Sequence, residues 1–270
     1  MVEDFLRNIF KVLEHHEIRL RDELSQVLLV NTHVLRFIAE HACSSDSRTR
    51  VVEIGSGPGN LTYVLSTFCS YVIAIELDPR FATLLRELQR RTNVDVVIGD
   101  AVMLVKALRG IDIAVGNLPY HISSQLLETL ARSSVSRAIV TVQKEVGERI
   151  VARPGTDSYG KLSVVLQTVF RARILRFVSK KCFRPVPDVD SAIVELERVK
   201  NFDETIEKLQ KLAKCLYSYR NKLLLKALKM CGVEASKCLP KELACEVSKL
   251  RVHQASPELL EKIVELCVQE

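Results

Sequence analysis

The sequence lacks any apolar run long enough to cross a membrane. Its richest apolar stretches, such as Ser163–Phe170, are short and flanked by charge, whereas a transmembrane helix needs about 20 consecutive apolar residues. Residues 1–7 include two acids and no apolar core followed by small residues, so they do not resemble a secretory signal. We therefore expect a protein of the cytoplasm that has no membrane partner.

The chain also lacks a Cys-x-x-Cys pair, although it has eight cysteines. Their wide spacing argues against the disulfide framework of a small secreted domain and against a zinc site. Cys231, Cys238 and Cys245 are seven residues apart, but Gly232 and Pro240 interrupt the helix that would align them. We expect no bound metal, and we expect the cysteines to be reduced, mostly buried, small hydrophobic residues.

Acidic residues are scarce in one segment. The net charge of +6 is too small to specify a partner, but residues 137–184 hold eleven Lys or Arg and three acids, a local balance of +8. Residues 171–184 hold six basic residues and no acid. This run predicts a polyanion-binding surface, although a solvated charged face is the usual alternative. The candidate contacts for nucleic acid are Arg171, Arg173, Lys180, Lys181 and Arg184.

Length and periodicity predict one full-sized domain and a smaller companion. From residue 50, short apolar runs recur about every twenty residues and alternate with helical patterns. That alternation is typical of a parallel sheet covered on both faces, an α/β architecture. Two later apolar runs, at 173–178 and 192–196, are predicted to close the sheet as a hairpin-like edge. After Val199 the pattern is helical, so we predict an α/β domain over 1–199 and an all-helical domain over 200–270.

A glycine-rich turn follows the first predicted strand. Gly55, Gly57 and Gly59 have Gly-x-Gly-x-Gly spacing, and Glu53 precedes the first glycine by two residues. Glycines there let the backbone approach a ligand closely. The spacing differs from the Gly-x-Gly-x-x-Gly of dinucleotide sites and resembles the first motif of S-adenosylmethionine-dependent methyltransferases. A tight turn without a ligand is the alternative.

Two acids follow the next predicted strands. Glu76 lies nineteen residues after Gly57, where a carboxylate can accept hydrogen bonds from both ribose hydroxyls. Asp100 follows the strand at 94–98 and would accept a hydrogen bond from an adenine amino group. Suitable groups occur at three strand ends, and together they are stronger evidence for a nucleoside-containing cofactor than any one of them alone.

The most specific feature is the loop Asn117-Leu-Pro-Tyr120 after the fourth predicted strand of this region. Asn/Asp-Pro-Pro-Tyr/Phe loops occur in enzymes that methylate exocyclic amino groups, and the Asn-Leu-Pro-Tyr form resembles the adenine dimethyltransferases of ribosomal RNA. The N6 lone pair of adenine is delocalised, so the amine is a poor nucleophile. If the Asn117 side-chain oxygen, which also borders the cofactor, and the Leu118 carbonyl accept the two N–H groups, the lone pair is directed at the methyl group.

The other two residues of the loop have supporting roles in this hypothesis. Pro119 fixes the backbone, and Tyr120 offers a flat face on which a flipped-out base can stack. A β-turn with a packed tyrosine is the alternative, since Asn and Pro are common turn residues.

Further segments extend the resemblance over about residues 22–270. Residues 143–164 are similar to the segment that follows the fifth strand of the family, and Phe183–Ser191 resembles its Phe-x-Pro-x-Pro-x-Val-x-Ser loop. The resemblance implies that Phe183 stacks on the other face of the adenine. It also implies a Rossmann-like class I methyltransferase sheet with a small helical C-terminal domain, and S-adenosylmethionine as cofactor. The implied reaction is N6,N6-dimethylation of adenines in small-subunit ribosomal RNA or the pre-ribosomal subunit. A monomer is our default expectation, and the resemblance does not imply it.

The N-terminal segment departs from the family pattern. Family members open with a Gly-Gln-Asn-Phe-Leu-like segment that helps to close over the cofactor, and the matching residues here are Ser25-Gln-Val-Leu-Leu29. Val27 stands in place of the asparagine, so any contact there must be main-chain or apolar. Leu29 is carried over as a cofactor contact.

Three other functions remain open from the sequence. A large-subunit RNA methylase would use the same chemistry, and a non-enzymatic RNA-binding assembly factor could keep the same fold. DNA adenine methylation is disfavoured by Leu118, because DNA enzymes usually carry proline at that position.

Overall fold

The computed structural model describes residues 2–24, 26–43, 49–90 and 92–268, so Ser25 of the N-terminal motif lies outside the described residues. The chain forms two compact units. The first comprises Met1–Gly147 and Arg173–Glu197, and the second comprises Glu148–Ala172 and Arg198–Glu270. None of the described helices is long and apolar enough to span a membrane.

The first unit is built on a twisted α/β sheet. In chain order the strands are β1 (Leu28–Leu29), β2 (Arg50–Ile54), β3 (Tyr71–Glu76), β4 (Val94–Ile98), β5 (Ile113–Asn117), β6 (Arg137–Gln143), β7 (Phe170–Val178), β8 (Phe183–Arg184) and β9 (Ser191–Arg198). The main sheet has the order β4-β3-β2-β5-β6-β9-β7. Strands β2 to β6 pair in parallel, whereas β9 pairs antiparallel with β6. The predicted parallel sheet with a hairpin-like edge is therefore confirmed.

Helices follow the strands as the apolar periodicity predicted. They are α1 (Val2–His15), α2 (Thr32–Ala42), α3 (Asn60–Phe68), α4 (Ala82–Gln89), α5 (Ala101–Ala107), α6 (Ser123–Arg132), α7 (Lys144–Ile150), α8 (Lys161–Val169), α9 (Glu204–Leu216), α10 (Leu224–Met230), α11 (Ala235–Cys238), α12 (Lys241–Lys249) and α13 (Pro257–Cys267). Local signals fix several starts. Asn31 caps α2 by accepting a hydrogen bond from the Val34 N–H at 3.1 Å, and Asp203 caps α9 in the same way.

Strands β2 and β5 approach each other closely at the centre of the sheet. Strand β2 is buried from Val51 to Ile54, and a Cβ atom at Gly116 would lie 2.6 Å from the Ile54 carbonyl oxygen. A larger residue at 116 would therefore push β5 away from β2. Glycine at this position lets Asn117, the next residue, lie at the carboxyl-terminal edge of the sheet, beside the loop that follows β2.

The division into units differs from the boundary expected at residue 200. Residues 148–172 group with the C-terminal helices and not with the sheet. Buried Tyr159 and Val164 share one apolar core with residues of α9 and α13, and the Tyr159 hydroxyl donates to the Ala255 carbonyl at 3.0 Å. The strand-to-helix change of periodicity near 200 does not reveal this packing, because α8 lies between two strands in the sequence.

The expectation of reduced cysteines was wrong, because six of them are paired. The disulfides join Cys43 to Cys69, Cys215 to Cys231, and Cys238 to Cys267. Cys182 is half-buried and Cys245 is exposed, both as free thiols. The Cα atoms of each pair are 5.4–5.9 Å apart, within the range that a disulfide needs. Helix packing creates these distances, so the spacing along the sequence gave no sign of them.

Reduction of the protein should lower its thermal stability. The three disulfides close loops with sequence separations of 16, 26 and 29 residues, and closing a loop of roughly 15 residues contributes about 3 kcal/mol in the chain-entropy description. We expect the denatured, unreduced protein to bind two equivalents of a thiol-alkylating reagent by mass spectrometry, and the melting temperature to fall after reduction. Cys245→Ser is the control and should leave both the disulfides and the melting temperature unchanged. Eight alkylated thiols before reduction would contradict the pairing.

Candidate active site

A cleft opens where β2, β3, β4 and β5 end at their carboxyl termini. Parallel strands bring these ends to one edge of the sheet, which is where open α/β sheets bind ligands. The cleft brings together most of the residues predicted to contact a cofactor or a base. These are Val27, Leu29, Gly55, Gly57, Glu76, Asp100, Asn117 and Pro119.

The glycine loop is hydrogen-bonded directly to Glu76. The Gly57 N–H donates to Glu76 Oε2 at 2.7 Å, and the Asp78 N–H donates to Oε1 at 2.8 Å. Gly57 has a φ of 56°, in the left-handed region that glycine adopts without strain. Burial raises the pKa of Glu76, and the main-chain donors oppose that rise. The carboxylate is thereby fixed in the cleft with its acceptor oxygens oriented by the backbone.

Asp100 lies at the rim of the cleft as the N-cap of α5. Its Oδ1 accepts a hydrogen bond from the Val102 N–H at 2.8 Å, and the residue is exposed. The cap holds one carboxylate oxygen, so a ligand amino group would be accepted by the other. The structure therefore places Asp100 beside the cleft, and its contact with adenine stays a prediction.

Glu53 is a further residue of the cleft, which the sequence analysis treated only as part of a motif. It is 1% exposed, and its Oε2 is buried without a partner, as are Ser56 Oγ and Asn60 Oδ1. All three residues line the cleft. Burial raises the pKa of Glu53 to about 8, Thr62 opposes the rise, and the charge of Glu76 adds to it. An acid within an otherwise apolar strand was the available sequence signal.

The N-terminal segment is held in the cleft by its main chain. Strand β1 pairs antiparallel with β8, and on its other side two asparagine amides donate to its carbonyls. Asn117 Nδ2 donates to the Val27 carbonyl at 2.8 Å, and Asn60 Nδ2 donates to the Leu29 carbonyl at 3.1 Å. Val27 thus makes a main-chain contact, although with the catalytic loop and not with a group outside the chain.

An ionic network fastens the residue before Val27. Gln26 Nε2 donates to Asp78 Oδ2 at 2.8 Å, and Arg80 Nε donates to Asp78 Oδ1 at 2.9 Å. The Arg80 guanidinium lowers the pKa of Asp78 to about 2, so this carboxylate is ionised at any physiological pH. Nothing in the sequence pattern indicates this network, because Asp78 and Arg80 look like ordinary residues of a helix start.

The Asn117–Tyr120 loop carries a buried acceptor without a partner. Asn117 Oδ1 is buried and has no hydrogen-bond partner, while the Leu118 N–H donates to the Thr141 carbonyl at 3.0 Å. The Leu118 side chain is buried, and so it anchors the loop in the core. The Tyr120 hydroxyl lies 3.0 Å from Ser191 Oγ, which joins the loop to the start of β9. Burial raises the pKa of Tyr120, so its hydroxyl is neutral.

Phe183 is fully buried in the core of the first unit. Its ring belongs to the same apolar cluster as Leu29, Val178 and Ile193, and it pairs with Leu29 across β8 and β1. In this conformation no face of the ring is open to a base. Stacking of Phe183 on adenine, which the family resemblance implies, stays a prediction and requires the buried ring to become exposed.

The predicted polyanion-binding residues are all exposed, but they differ in what they contact. Arg173 donates to the Glu195 carboxylate, Lys180 Nζ donates to the Asp188 carbonyl at 3.0 Å, and Arg184 donates to the Phe183 carbonyl at 2.8 Å. Arg171 belongs to the second unit, and the other four belong to the first. Lys180 and Lys181 follow β7 directly, so they are the pair best suited to a mutational test.

The sheet and the cleft define the class of protein as a class I S-adenosylmethionine-dependent methyltransferase. Residues 17–265 match the family described as Ribosomal RNA adenine dimethylase, and the chain therefore belongs to this family. Its members are S-adenosylmethionine-dependent enzymes, so the predictions of cofactor, fold class and enzyme class are confirmed.

Two relatives illustrate the match. The chain is 39% identical over 213 residues to the ribosomal RNA small subunit methyltransferase A of Thermotoga maritima, covering 78% of this chain and 75% of that protein. It is 33% identical over 264 residues to the probable ribosomal RNA small subunit methyltransferase A of Methanothermobacter thermautotrophicus, covering 94% and 93%.

Solved structures show the same fold. A dimethyladenosine transferase from Plasmodium falciparum superimposes with a TM-score of 0.73 at 24% identity, covering 89% of this chain and 99% of that one. The 23S rRNA methyltransferase ErmE superimposes with a TM-score of 0.67 at 24% identity, covering 90% and 100%.

Cofactor binding should release a proton through Glu53. The pKa of about 8 is above the ordinary value of 4.5, so below pH 8 the buried carboxyl is largely protonated, and a cationic ligand favours its ionised form. We expect the affinity for S-adenosylmethionine to rise from pH 6 to pH 8, by up to about tenfold per unit, and then to level. Glu53→Gln should lack this rise. Titration calorimetry of both proteins across pH 6–9 gives the ratio of wild-type affinity to variant affinity at each pH. Titration of the cofactor itself affects both proteins equally, so it cancels in this ratio. A ratio that does not change with pH would contradict the role of Glu53.

Proposed function

We propose that this enzyme transfers two methyl groups to N6 of adenines in small-subunit ribosomal RNA during ribosome biogenesis. The observation that carries the proposal is the buried, unpaired Oδ1 of Asn117 beside the cleft, which suits a substrate that offers N–H donors. The relatives at 33–39% identity are named for the small subunit, which favours that RNA over the large subunit.

The cleft suits S-adenosylmethionine because it is lined by carboxyl groups that can accept hydrogen bonds from the donors of the cofactor. Glu76 would accept from the ribose hydroxyls, Asp100 from the adenine amino group, and Glu53 would face the cationic amino acid portion. Gly55 and Gly57 would bring the main chain close to the cofactor. When bound, the cofactor supplies a methyl group on a positively charged sulfur.

The catalytic loop prepares the target amine. Asn117 Oδ1 and the Leu118 carbonyl would accept the two N–H groups of N6, and this would direct the lone pair at the methyl group. The lone pair would form the new carbon–nitrogen bond as the carbon–sulfur bond breaks, and the electron pair of the broken bond would return to the sulfur, which leaves as a neutral thioether. The nitrogen would then lose a proton to water, so no strong base is needed. Pro119 has no N–H with which to compete, and the Tyr120 ring would support the flipped-out base.

We further propose that the enzyme is a monomer that acts on the pre-ribosomal subunit in the cytoplasm. A monomer is supported by the cleft itself, because residues of one chain supply the glycine loop, Glu76 and the Asn117 loop. The exposed basic residues that follow β7 would contact the phosphate backbone.

The reaction can be tested on small ribosomal subunits that lack the modification. Incubation with labelled S-adenosylmethionine, followed by digestion to nucleosides, should yield N6,N6-dimethyladenosine by mass spectrometry. Matched large subunits serve as the control substrate and should remain unlabelled. Label that appears only in the large subunit, in DNA or in protein would contradict the proposal.

Removal of the charges at Lys180 and Lys181 should weaken RNA binding and flatten its salt dependence. Each phosphate contact changes the slope of log K against log salt by roughly 0.7–0.9, so Lys180→Ala/Lys181→Ala should reduce the slope by about one to two. The matched control is Lys208→Ala/Lys211→Ala, since these lysines pair with Glu204 and Glu207 on α9. Equal slopes for the wild type and the first variant would assign residues 180 and 181 to a solvated face.

A further inference from the structure

The Asn117 amide has two chemically different ends, and the structure distinguishes them. Nδ2 donates to the main-chain carbonyl of Val27 at 2.8 Å, whereas Oδ1 is buried with no partner. A carbonyl oxygen only accepts hydrogen bonds. The amide is therefore held with Nδ2 toward the N-terminal segment and with Oδ1 left available as an acceptor.

We propose that the main-chain carbonyl of Val27 is a positioning group for methyl transfer, which fixes the Asn117 amide so that only its oxygen is presented to the target amine. The inference rests on the proposed function, because it concerns the orientation of a group that is proposed to contact N6. It assigns to the N-terminal segment a role in the chemistry in addition to closure over the cofactor.

The opposite orientation of the amide would stop the reaction. A flipped amide would place Asn117 Oδ1 against the Val27 carbonyl, where two buried acceptors repel each other and neither is satisfied. It would also turn the Nδ2 hydrogens toward N6, where they would donate to the lone pair that must attack the methyl group. The Val27 carbonyl thus excludes an orientation in which the nucleophile is occupied.

The Val27 carbonyl is held in place by contacts that residues before and after it in the chain make. The preceding residue, Gln26, donates to ionised Asp78, and the carbonyl of Leu29 accepts from Asn60. Strand β8 pairs with β1 on its other side. The carbonyls of residues 27 and 29 point to the same side because strand residues alternate, so the two asparagines hold β1 as a neighbouring strand would.

This geometry also accounts for the departure at position 27. The contact that matters uses the backbone, and every residue supplies a carbonyl. Valine is therefore compatible with the role, and its β-branched side chain favours the extended conformation that the segment adopts.

The test replaces the Asn117 amide by a carboxyl group, which loses its hydrogen-bond donor when it is deprotonated. In Asn117→Asp, the protonated carboxylic acid donates to the Val27 carbonyl and still offers one acceptor oxygen, whereas the carboxylate only accepts. We expect the variant-to-wild-type ratio of single-turnover rates at saturating cofactor to rise as the pH falls from 9 to 5.5, by up to tenfold per unit. A ratio that is flat, or that rises with pH, would mean that Asn117 serves as an acceptor without orientation by Val27, and would overturn the proposal.

The wild type and a non-titrating variant serve as controls. Glu53, Glu76, Asp100 and His121 line the same cleft and are present in every protein compared. Asn117→Ser has no titrating group at 117, so its ratio to the wild type should be flat. If the rate ratio of Asn117→Ser to the wild type rises on acidification as much as the ratio of Asn117→Asp to the wild type, the proposal is also overturned.

A measurement on wild-type protein covers the case in which Asn117→Asp does not fold. In ¹⁵N-labelled protein we expect one Nδ2 proton of Asn117, assigned by its loss in Asn117→Ser, to be shifted downfield and protected from exchange with water. Two rapidly exchanging, equivalent protons would overturn the proposal. If the wild-type enzyme forms no dimethyladenosine, the proposed function is contradicted. If the wild type is active but the rate ratio of Asn117→Asp to the wild type does not change with pH, only the role of Val27 is contradicted.

Discussion

The hydrogen bond from the Gly57 N–H to the Glu76 carboxylate joins the ends of two neighbouring parallel strands. It forms because the chain after β2 turns through left-handed glycine conformations and directs a main-chain donor across to β3. The same turn starts α3 at Asn60, and so it places that side chain against the Leu29 carbonyl. On the far side of Glu76, the Asp78 N–H binds the other carboxylate oxygen. The cofactor cleft and the N-terminal segment are therefore built on a single interaction.

From this junction, polar contacts run to the catalytic loop. Asp78 binds Gln26, the following residue Val27 accepts from Asn117, and Asn117 ends β5 beside β2. Each contact is short, and most are buried or half-buried, where hydrogen bonds are strong and an unmade one is costly. A path from Glu76 to Asn117 thus consists of main-chain and side-chain hydrogen bonds.

The sequence was a good guide wherever function requires a residue type at a fixed point after a strand. The glycine loop, Glu76 and the Asn117–Tyr120 loop were identified because their chemistry is local, and the parallel sheet then brought them to one cleft. The disulfides, the grouping of residues 148–172 and the Asp78 network depend on packing between distant segments, so periodicity could not predict them. At Phe183 the motif matches the family pattern, yet the ring is buried in the structure. A motif match carries no information about the burial of a side chain.

The role of Val27 shows why a departure from a family pattern need not remove a function. A side-chain amide at that position would offer both donors and acceptors, whereas the backbone offers a carbonyl whatever the residue. The burial of Glu53 adds the electrostatic counterpart: a carboxyl that is costly to ionise in the empty cleft becomes favourable to ionise beside a cation. The cleft thus combines oriented neutral acceptors near the base with a carboxyl whose charge depends on the cofactor. In the proposed mechanism the oriented Asn117 amide leaves the N6 lone pair free of donors, and that is the condition under which a delocalised amine can act as a nucleophile.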